Sequence, residues 1–296
     1  MNIHLENVTP NSNSGPNSFG RKLVKCMSKV GHTFDINQKG DVILAFIQAS
    51  DEQYPIPLVQ RLDGIYFNTS QNYKVQNYFI EETYKKADGV IFQSNFNRDL
   101  TFQFFGPHEN YTIIHNGADI EEIALANTIQ LPDKFSEMWC SASAWRPHKR
   151  LDDNIKYFLG HAPDDACFVI AGRTENRINH PKIFYIGEIN QNQLYSLYKS
   201  STHFVHLAWL DHCPNVVVDA RACGCRIVCS SSGGTREIAG SDAIVVEEEE
   251  WDFEPINLYQ PPEMNFTRKV KNNRNIEYNM NIVAEKYEKF LQGFIK

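Results

Sequence analysis

The hydrophobic residues of this chain fall into short, nearly continuous runs, which are separated by polar turns and by segments with helical spacing. Runs of this kind are typical of strands that are buried on both faces, as in a parallel sheet covered by helices. Their alternation with helical segments therefore predicts an α/β fold. The apolar runs lie at 3–8, 42–47, 58–62, 89–92, 111–114, 138–145, 167–171, 183–187, 203–209, 226–229 and 243–246, and the clearest helical segments lie at 17–30, 73–87, 190–201 and 214–224.

A break in this pattern divides the chain. The segment ANTIQLPDKFSE at 126–137 has no clear periodicity and contains a proline, as a linker would. A chain of 296 residues is also long for a single hydrophobic core. We therefore expect one domain at 1–130, a second at 131–267 and a C-terminal helix at 268–296. The apolar stripe of that helix consists of Ile276, Met280, Val283, Tyr287, Leu291 and Phe294.

Charge narrows the classes of partner. The chain has 29 Lys and Arg against 36 Asp and Glu, and neither half is basic, so nucleic acid is not an expected partner. No apolar run approaches the roughly 18 residues that cross a bilayer, and the polar N-terminus does not read as a signal peptide. The basic residues of the segment 17–30 predict a solvated helix face, with peripheral membrane contact as the alternative. No feature indicates an oligomeric state.

Cysteine and histidine positions do not predict a metal site. The seven cysteines lack the paired spacing of zinc ligands and suit a reducing, cytoplasmic location. His203 and His206 are three positions apart on a predicted strand, so they face opposite ways and cannot share a metal ion. We therefore expect neither a metal nor another cofactor.

The stretch DHCPNVVVDARACGCRIVCSSSGGTREI, which begins at Asp211, reads as loop, helix, strand, Gly-rich loop and helix. Pro214 is placed to begin the first helix, and Gly224 is placed to end it in the left-handed conformation. The helix start leaves the N–H groups of about 215–217 unpaired and carries partial positive charge, which suits a phosphate. Asp211 precedes this helix and Asp219 lies on it. An ordinary helix with an acidic start is the alternative interpretation.

Two further polar sites follow predicted strands. Asp63 comes directly after the strand 58–62, and α/β sheets bind their ligands at such carboxyl ends. A simple Asp-Gly turn is the alternative there. Arg146 and Lys149 precede a predicted helix, where cations oppose the helix dipole, so a ligand-binding role is favoured. Neither a dinucleotide G-x-G-x-x-G motif nor a P-loop motif is present.

The pattern from residue 211 onward resembles that of the nucleotide-sugar glycosyltransferases of family 4. Their hallmark is a pair of acidic residues eight positions apart, followed after the next strand by Gly-Gly-x-x-Glu. The matching residues are Asp211, Asp219, Ala220, Ala222, Gly224, Gly233, Gly234 and Glu237. This chain departs from the family by having Asp for the usual Glu at both acidic positions. The resemblance implies the GT-B fold, two Rossmann-like domains with parallel sheets facing a central cleft, with a shortened N-terminal domain.

The resemblance also implies roles for individual residues. Lys149 coincides with a family lysine that grips the donor diphosphate. The family arginine falls about two positions before Arg146, where Ala144 stands, so Arg146 would act from a shifted position. Gly15 corresponds to the donor-diphosphate loop of the first domain, with a plain turn as the alternative. Asp63 lies where family members place a His or acidic residue toward the donor sugar or acceptor.

The other implied contacts are with the donor. Asp219 would accept hydrogen bonds from the ribose hydroxyls, and Asp211 would hold the sugar hydroxyls and favour an oxocarbenium ion. The last helix would cross back toward the first domain. The remaining donor-binding candidates are Arg173, Gly187, Glu188, Ile189, Cys213, Pro214, Asn215, Val216 and Val217.

The activity implied is that of a retaining glycosyltransferase involved in glycan biosynthesis. It would move a hexosyl or N-acetylhexosaminyl group from a nucleotide-diphosphate sugar, by default a UDP-sugar, to a glycan or other hydroxyl acceptor. No metal would be required. Two alternatives stay open, namely a non-catalytic protein that binds sugar nucleotides or glycans, and a GT-B epimerase.

Overall fold

The protein is described by a computed structural model, which covers residues 1–9, 12, 14–35, 40–50 and 55–295. The chain forms two compact units. The first comprises Met1–Ala118, Asp252–Ile256 and Glu277–Lys296, and the second comprises Asp119–Trp251 and Asn257–Ile276. Each unit is an α/β domain built on its own sheet, as the alternation of apolar runs and helical segments predicts.

The sheet of the first unit has six strands in the order β2-β1-β3-β4-β5-β6, and all neighbouring pairs are parallel. Strands β3 and β4 are buried along their whole length, which explains their continuous apolar sequences. The strands are β1 Asn2–Glu6, β2 Thr33–Asp35, β3 Val42–Phe46, β4 Leu58–Leu62, β5 Gly89–Phe92 and β6 Tyr111–Ile113.

The helices that pack on this sheet include the last one of the chain. They are α1 Gly15–Lys29, α2 Tyr73–Lys86, α3 Asn95–Phe105 and the C-terminal helix Met280–Gln292, called α9 below. Met280, Val283, Tyr287 and Leu291 of α9 join the buried core with residues of α1 and of β1 to β5. The predicted apolar stripe is therefore a packing surface of the first unit from Met280 onward, and the prediction is wrong for Ile276, which precedes α9 and belongs to the second unit.

The second unit has seven strands in the order β13-β12-β11-β10-β7-β8-β9, with only the edge pair β12–β13 antiparallel. Its core contains Trp139, Phe158, Phe168, Val205 and Val228 among others. The strands are β7 Glu137–Ala142, β8 Ala166–Ala171, β9 Ile183–Gly187, β10 His203–His206, β11 Arg226–Ser230, β12 Ile244–Val246 and β13 Lys269–Val270.

The helices of the second unit connect these strands. They are α4 Ile120–Leu125, α5 Leu151–His161, α6 Gln191–Lys199, α7 Asn215–Ala222 and α8 Thr235–Ile238, with a 3₁₀ turn at Pro147–Lys149. Because every strand but the last is parallel to its neighbours, the loops that follow β7 to β11 emerge at the same edge of the sheet. This carboxyl edge is where ligands of open α/β sheets bind.

The helix expected over 268–296 begins only at Met280. Residues 269–270 instead form strand β13, and the Asn-rich segment after it is held by side-chain hydrogen bonds. Asn272 is 1% exposed and donates to the backbone oxygens of Arg236 and Gly240, at 3.1 and 2.7 Å. These long-range bonds tie the segment to the loop that contains Arg236 and Gly240, and the amphipathic pattern forms a helix only after Asn279, which caps α9.

The segment predicted as a loop before α1 partly lies outside the described residues, at positions 10, 11 and 13. Gly15, expected in that loop, is the first residue of helix α1. In the part of the chain that the structure describes, no helix is both long enough and apolar enough to cross a membrane.

Candidate functional site

Lys149 and Asp211 form an ion pair at the carboxyl edge of the second sheet. They are 62 positions apart in the sequence and come from the loops that follow β7 and β10. The side chain of Lys149 is 17% exposed and that of Asp211 is 14% exposed, so the pair is largely shielded but still reachable from solvent. Lys149 of the 146–149 turn therefore meets the loop before α7 through Asp211.

The backbone around Lys149 is fixed to the neighbouring loop. Lys149 ends the 3₁₀ turn, and Arg150 then adopts a left-handed conformation with φ of 52°. Asn154 of α5 donates to the Lys149 carbonyl at 3.1 Å and accepts from the Leu207 N–H at 2.9 Å. The Trp209 N–H also donates to the carbonyl of His148 at 2.8 Å. These bonds hold the loops after β7 and β10 at a fixed spacing.

Asp211 is equally constrained. Its carbonyl accepts a hydrogen bond from the Gly234 N–H at 2.7 Å, and its Oδ1 accepts from the His212 N–H at 3.0 Å. The preceding residue, Leu210, is 3% exposed and has a positive φ of 54°. Such a conformation is rare for a bulky side chain and persists only where surrounding contacts enforce it. The Gly-Gly turn after β11 supplies part of that enforcement.

His206, the last residue of β10, is a member of this group that the sequence did not reveal. Its Nε2 lies 3.0 Å from Asp211 Oδ2, the oxygen that also accepts from Lys149. Burial alone would raise the pKa of Asp211, but the charge of Lys149 and the hydrogen bond from His206 hold it well below its usual range. The ring of His203 instead stacks on that of Trp139, with 4.0 Å between the ring centroids.

Helix α7 begins next to this pair. Pro214 is its N-cap rather than its first helical residue, and the Pro214 carbonyl accepts from the Val217 N–H at 3.0 Å. The expectation that the N–H groups of 215–217 are all unpaired is therefore wrong for Val217. Asn215 and Val216 open the helix, so they lie at the positive end of its dipole. Gly224 follows the helix with φ of 97°, which confirms its predicted left-handed conformation.

Asp219 lies on α7 and is only 3% exposed. Its Oδ2 is 3.3 Å from Nε2 of Gln191, the first residue of α6. The structure therefore places it between α7 and α6, one helical turn from the opening of α7. Cys213, a candidate just before the helix, is 5% exposed, so only its backbone is suited to contact a ligand.

The other candidates of this unit lie at the same edge. Arg146 and Arg173 are exposed and follow β7 and β8. Gly187 ends β9, and Glu188 and Ile189 follow it before α6. The Gly172 N–H donates to the Gly187 carbonyl at 2.7 Å. Arg146 does not join the hydrogen-bonded group of Lys149, Asp211 and His206 within the residues that the structure describes.

The first unit contains the remaining candidates, Asp63 and Gly15. Asp63 Oδ1 is paired with Arg61, whose fully buried guanidinium lies 4.0 Å from the ring centre of Phe19 and also donates to Tyr287 and Asn116. Asp63 Oδ2 is buried and has no hydrogen-bond partner among the described residues. Burial raises the pKa of Asp63 despite the adjacent guanidinium. Gly15 opens α1, with no side-chain cap from Ser14.

A second ion pair, between Arg150 and Glu248, is buried next to the Lys149–Asp211 pair and is linked to it through Ser232 and Leu210. Arg150 donates to Glu248 Oε1 at 2.7 Å, and the two side chains are 1% and 7% exposed. Glu248 Oε2 also accepts from Ser232 at 2.9 Å, and the Ser232 hydroxyl accepts from the Leu210 N–H at 3.3 Å. Among the four consecutive glutamates 247–250, Glu248 therefore points inward to meet Arg150.

Within the described residues, no group of three or more His, Cys, Asp or Glu side chains is arranged to hold a metal ion.

The second unit contains most of a segment that matches a known protein family. Residues 129–253 match the family model described as glycosyl transferases group 1. This range contains Lys149, His206, Asp211 and Asp219. The search of curated proteins returned no match.

Solved structures resemble the whole chain. Anabaena HepE in complex with UDP-glucose has a TM-score of 0.69 at 12% identity, with 99% of this chain and 100% of that one covered. A glycosyltransferase from Rickettsia africae has a TM-score of 0.66 at 13% identity, covering 100% and 99%. Sucrose-phosphate synthase from Thermosynechococcus elongatus has a TM-score of 0.66 at 12% identity, covering 84% and 86%. These likenesses confirm the predicted GT-B fold class.

Proposed function

We propose that the protein is a retaining glycosyltransferase of the family 4 type. It moves a hexosyl or N-acetylhexosaminyl group from a nucleotide-diphosphate sugar to a glycan or other hydroxyl acceptor. The observation that carries the proposal is the Lys149–Asp211 pair beside the opening of α7, within the segment that matches the glycosyl transferases group 1 model. UDP-sugars are the first donors to test, since the similar HepE structure holds UDP-glucose.

The charge arrangement suits a diphosphate. Lys149 provides a full positive charge in a largely shielded position, and the start of α7 adds the partial positive charge of its helix dipole. Both would act on the negative charge that grows on the leaving diphosphate as the sugar–oxygen bond breaks. Arg146 and Arg173, exposed at the same edge, would add to this charge when a donor is bound.

The remaining contacts follow from position. Asp219, near the start of α7, is proposed to bind the ribose hydroxyls, and the backbone of 187–189 is proposed to contact the base. Asp211 is proposed to orient Lys149 before the donor binds. Together with the backbone of 213–215, it is also proposed to bind the sugar hydroxyls.

Retention would follow from attack on the same face as departure. The bond from the sugar C1 to the phosphate oxygen breaks, the bond from C1 to the acceptor oxygen forms, and the acceptor proton passes to the leaving phosphate oxygen. No strong general base is needed for this sequence. In Asp63, Oδ1 is paired with Arg61, and Oδ2 has no hydrogen-bond partner among the described residues. We propose that Oδ2 accepts a hydrogen bond from a substrate hydroxyl.

The proposal includes transfer without a metal ion, because Lys149 and the α7 opening supply the countercharge that a metal would otherwise provide. Activity in excess EDTA should equal activity in buffer. We also place the reaction in the cytoplasm, since Cys26, Cys140, Cys167, Cys213, Cys223, Cys225 and Cys229 are all free thiols.

A donor-turnover assay tests the function. Purified protein is incubated with a panel of UDP-hexoses and UDP-N-acetylhexosamines, with and without hydroxyl acceptors, and UDP release is measured alongside the product anomer by NMR. We expect UDP release from at least one donor, lost in Lys149→Ala and kept in Lys156→Ala, whose exposed lysine lies on α5. UDP binding without release would favour the non-catalytic alternative. Free sugar released without any dependence on acceptor would favour the epimerase.

A further inference from the structure

One carboxylate oxygen serves two donors at this site. Asp211 Oδ2 accepts a hydrogen bond from Lys149 Nζ and lies 3.0 Å from His206 Nε2. The other oxygen, Oδ1, accepts a hydrogen bond from the backbone N–H of the next residue, His212, at 3.0 Å. The carboxylate therefore has one cationic partner and two neutral ones. Only the cationic partner sits on a flexible side chain that can turn away.

His206 is held rigidly in place. It is 2% exposed, it ends strand β10, and its backbone is paired with Cys229 of β11. Its ring stacks on that of Phe204 at 6.1 Å with an interplanar angle of 13°. The imidazole consequently cannot follow a moving partner, and it fixes the position of whatever it bonds.

The chemistry of the contact assigns the imidazole proton. Because Nε2 faces a carboxylate oxygen, Nε2 carries the hydrogen and donates it. Burial and the nearby charge of Lys149 lower the pKa of His206, although Asp211 opposes this shift. His148 is a further titratable neighbour of His206. A neutral donor here stabilises Asp211 without replacing the charge of Lys149.

We propose that His206 is a positioning residue that holds Asp211 when Lys149 moves its charge from Asp211 to the donor diphosphate. This inference rests on the proposed function. Without such a donor, the departure of Lys149 would leave a largely buried carboxylate with a single backbone bond, which is strongly unfavourable. With His206 in place, Lys149 can exchange partners while Asp211 stays where a sugar hydroxyl is bound.

Two substitutions separate the hydrogen bond from the packing. His206→Gln keeps a side-chain N–H donor at a similar reach, and His206→Leu fills the site without a donor. UDP affinity is measured by calorimetry. We expect the Leu variant to bind UDP about 10-fold more weakly or worse, as for a lost hydrogen bond to a charged group, and the Gln variant to stay within about 3-fold of the wild type.

A double-mutant cycle shows whether the effect passes through Asp211. In an Asp211→Asn background, His206→Leu should change UDP affinity by less than about 2-fold, because the partner it positions is gone. A merely structural role would give the same loss in both backgrounds. Equal losses, or a Leu variant as tight as the wild type, would overturn the inference.

NMR tests the contact without any ligand. In histidine-labelled protein, His206 should be the Nε2–H tautomer at pH 7, and Asp211→Ala should shift its ring signals. If wild type binds UDP but His206 is the other tautomer, the inference fails and the proposed function stands. If no nucleoside diphosphate binds, the proposed function fails together with the partner exchange, and the NMR result alone decides whether His206 holds Asp211.

Discussion

Gly233 lies against the backbone of Asp211 so closely that no side chain fits between them. A Cβ at Gly233 would come within 2.6 Å of the Asp211 carbonyl oxygen and 2.8 Å of its nitrogen, and Gly233 has a positive φ of 73°. The turn after β11 thus packs directly against the backbone of Asp211, the residue that pairs with Lys149. Only glycine meets both conditions, the left-handed conformation and the close approach.

Gly233→Ala should therefore displace Asp211 and abolish UDP binding. Gly224→Ala is a matched control, because Gly224 also has a positive φ, 97°, but a Cβ there meets no atom within 4 Å. The control should lose only about 1–2 kcal/mol of unfolding free energy, the usual cost of a left-handed residue. Calorimetry and urea unfolding measure both quantities. Equal UDP affinity in the two variants would contradict the role assigned to this contact.

Because Glu248 pairs with Arg150, we expect substitution of Glu248 to lower the unfolding free energy much more than substitution of its neighbour Glu249. Glu248→Leu removes the nearest carboxylate from the buried Arg150 and leaves it with Asp153, whose Oδ2 lies 4.0 Å from its Nε, which should lower the unfolding free energy by about 3 kcal/mol. Glu249→Leu, in the exposed part of the same run, should change it by less than about 0.5 kcal/mol. Urea unfolding of the two variants decides the matter, and similar stabilities would refute the structural role of Glu248.

His148 predicts a loss of stability in mild acid. Burial, assisted by the charge of Lys149, lowers the pKa of His148 to about 3. An unfolded histidine has a pKa of about 6.5, so below that value the unfolded chain binds a proton that the folded chain does not. The folded state should therefore lose about 1.4 kcal/mol per pH unit from this residue as the pH falls below about 6.5, and none above it.

The unfolding free energy is measured by urea unfolding at several pH values between 6.5 and 4.5. Its slope against pH should be shallower in His148→Gln than in the wild type, by about the amount expected for one histidine. Identical slopes would show that His148 takes up its proton in the folded protein.

Asp63 should affect turnover more than donor binding. Asp63→Asn removes the charge of the oxygen that has no partner among the described residues, while keeping the size of the side chain. We expect UDP affinity to change by less than about 2-fold and kcat to fall by about 10-fold or more, the loss of a hydrogen bond to a charged group. Steady-state kinetics with saturating donor measures this. An unchanged kcat would remove Asp63 from the reaction.

Much of the sheet scaffold could be predicted from local sequence. Strand β4 occupies the predicted residues 58–62, and Gly224 has the predicted left-handed conformation, because burial on both faces and a positive φ leave direct traces in residue type. Asp211 and Lys149 could be selected because they follow strands, which places them at one edge of a parallel sheet.

The contacts that complete the site left no such trace. His206 looks like one more residue of a buried strand, and its role appears only because the chain turns back five positions later to present Asp211. Glu248 is one of four identical residues, and nothing local distinguishes the one that meets Arg150, 98 positions away. The late start of α9 depends on bonds from Asn272 to a distant loop. Each case is a tertiary contact that overrides a local pattern.

Calorimetric titration with UDP shows directly whether the charge of Lys149 binds a diphosphate. We expect Lys149→Ala to bind UDP about 10-fold more weakly or worse, because a charge-assisted contact is lost, and Lys156→Ala to bind as the wild type does. Wild-type affinity for UDP in Lys149→Ala would contradict this expectation.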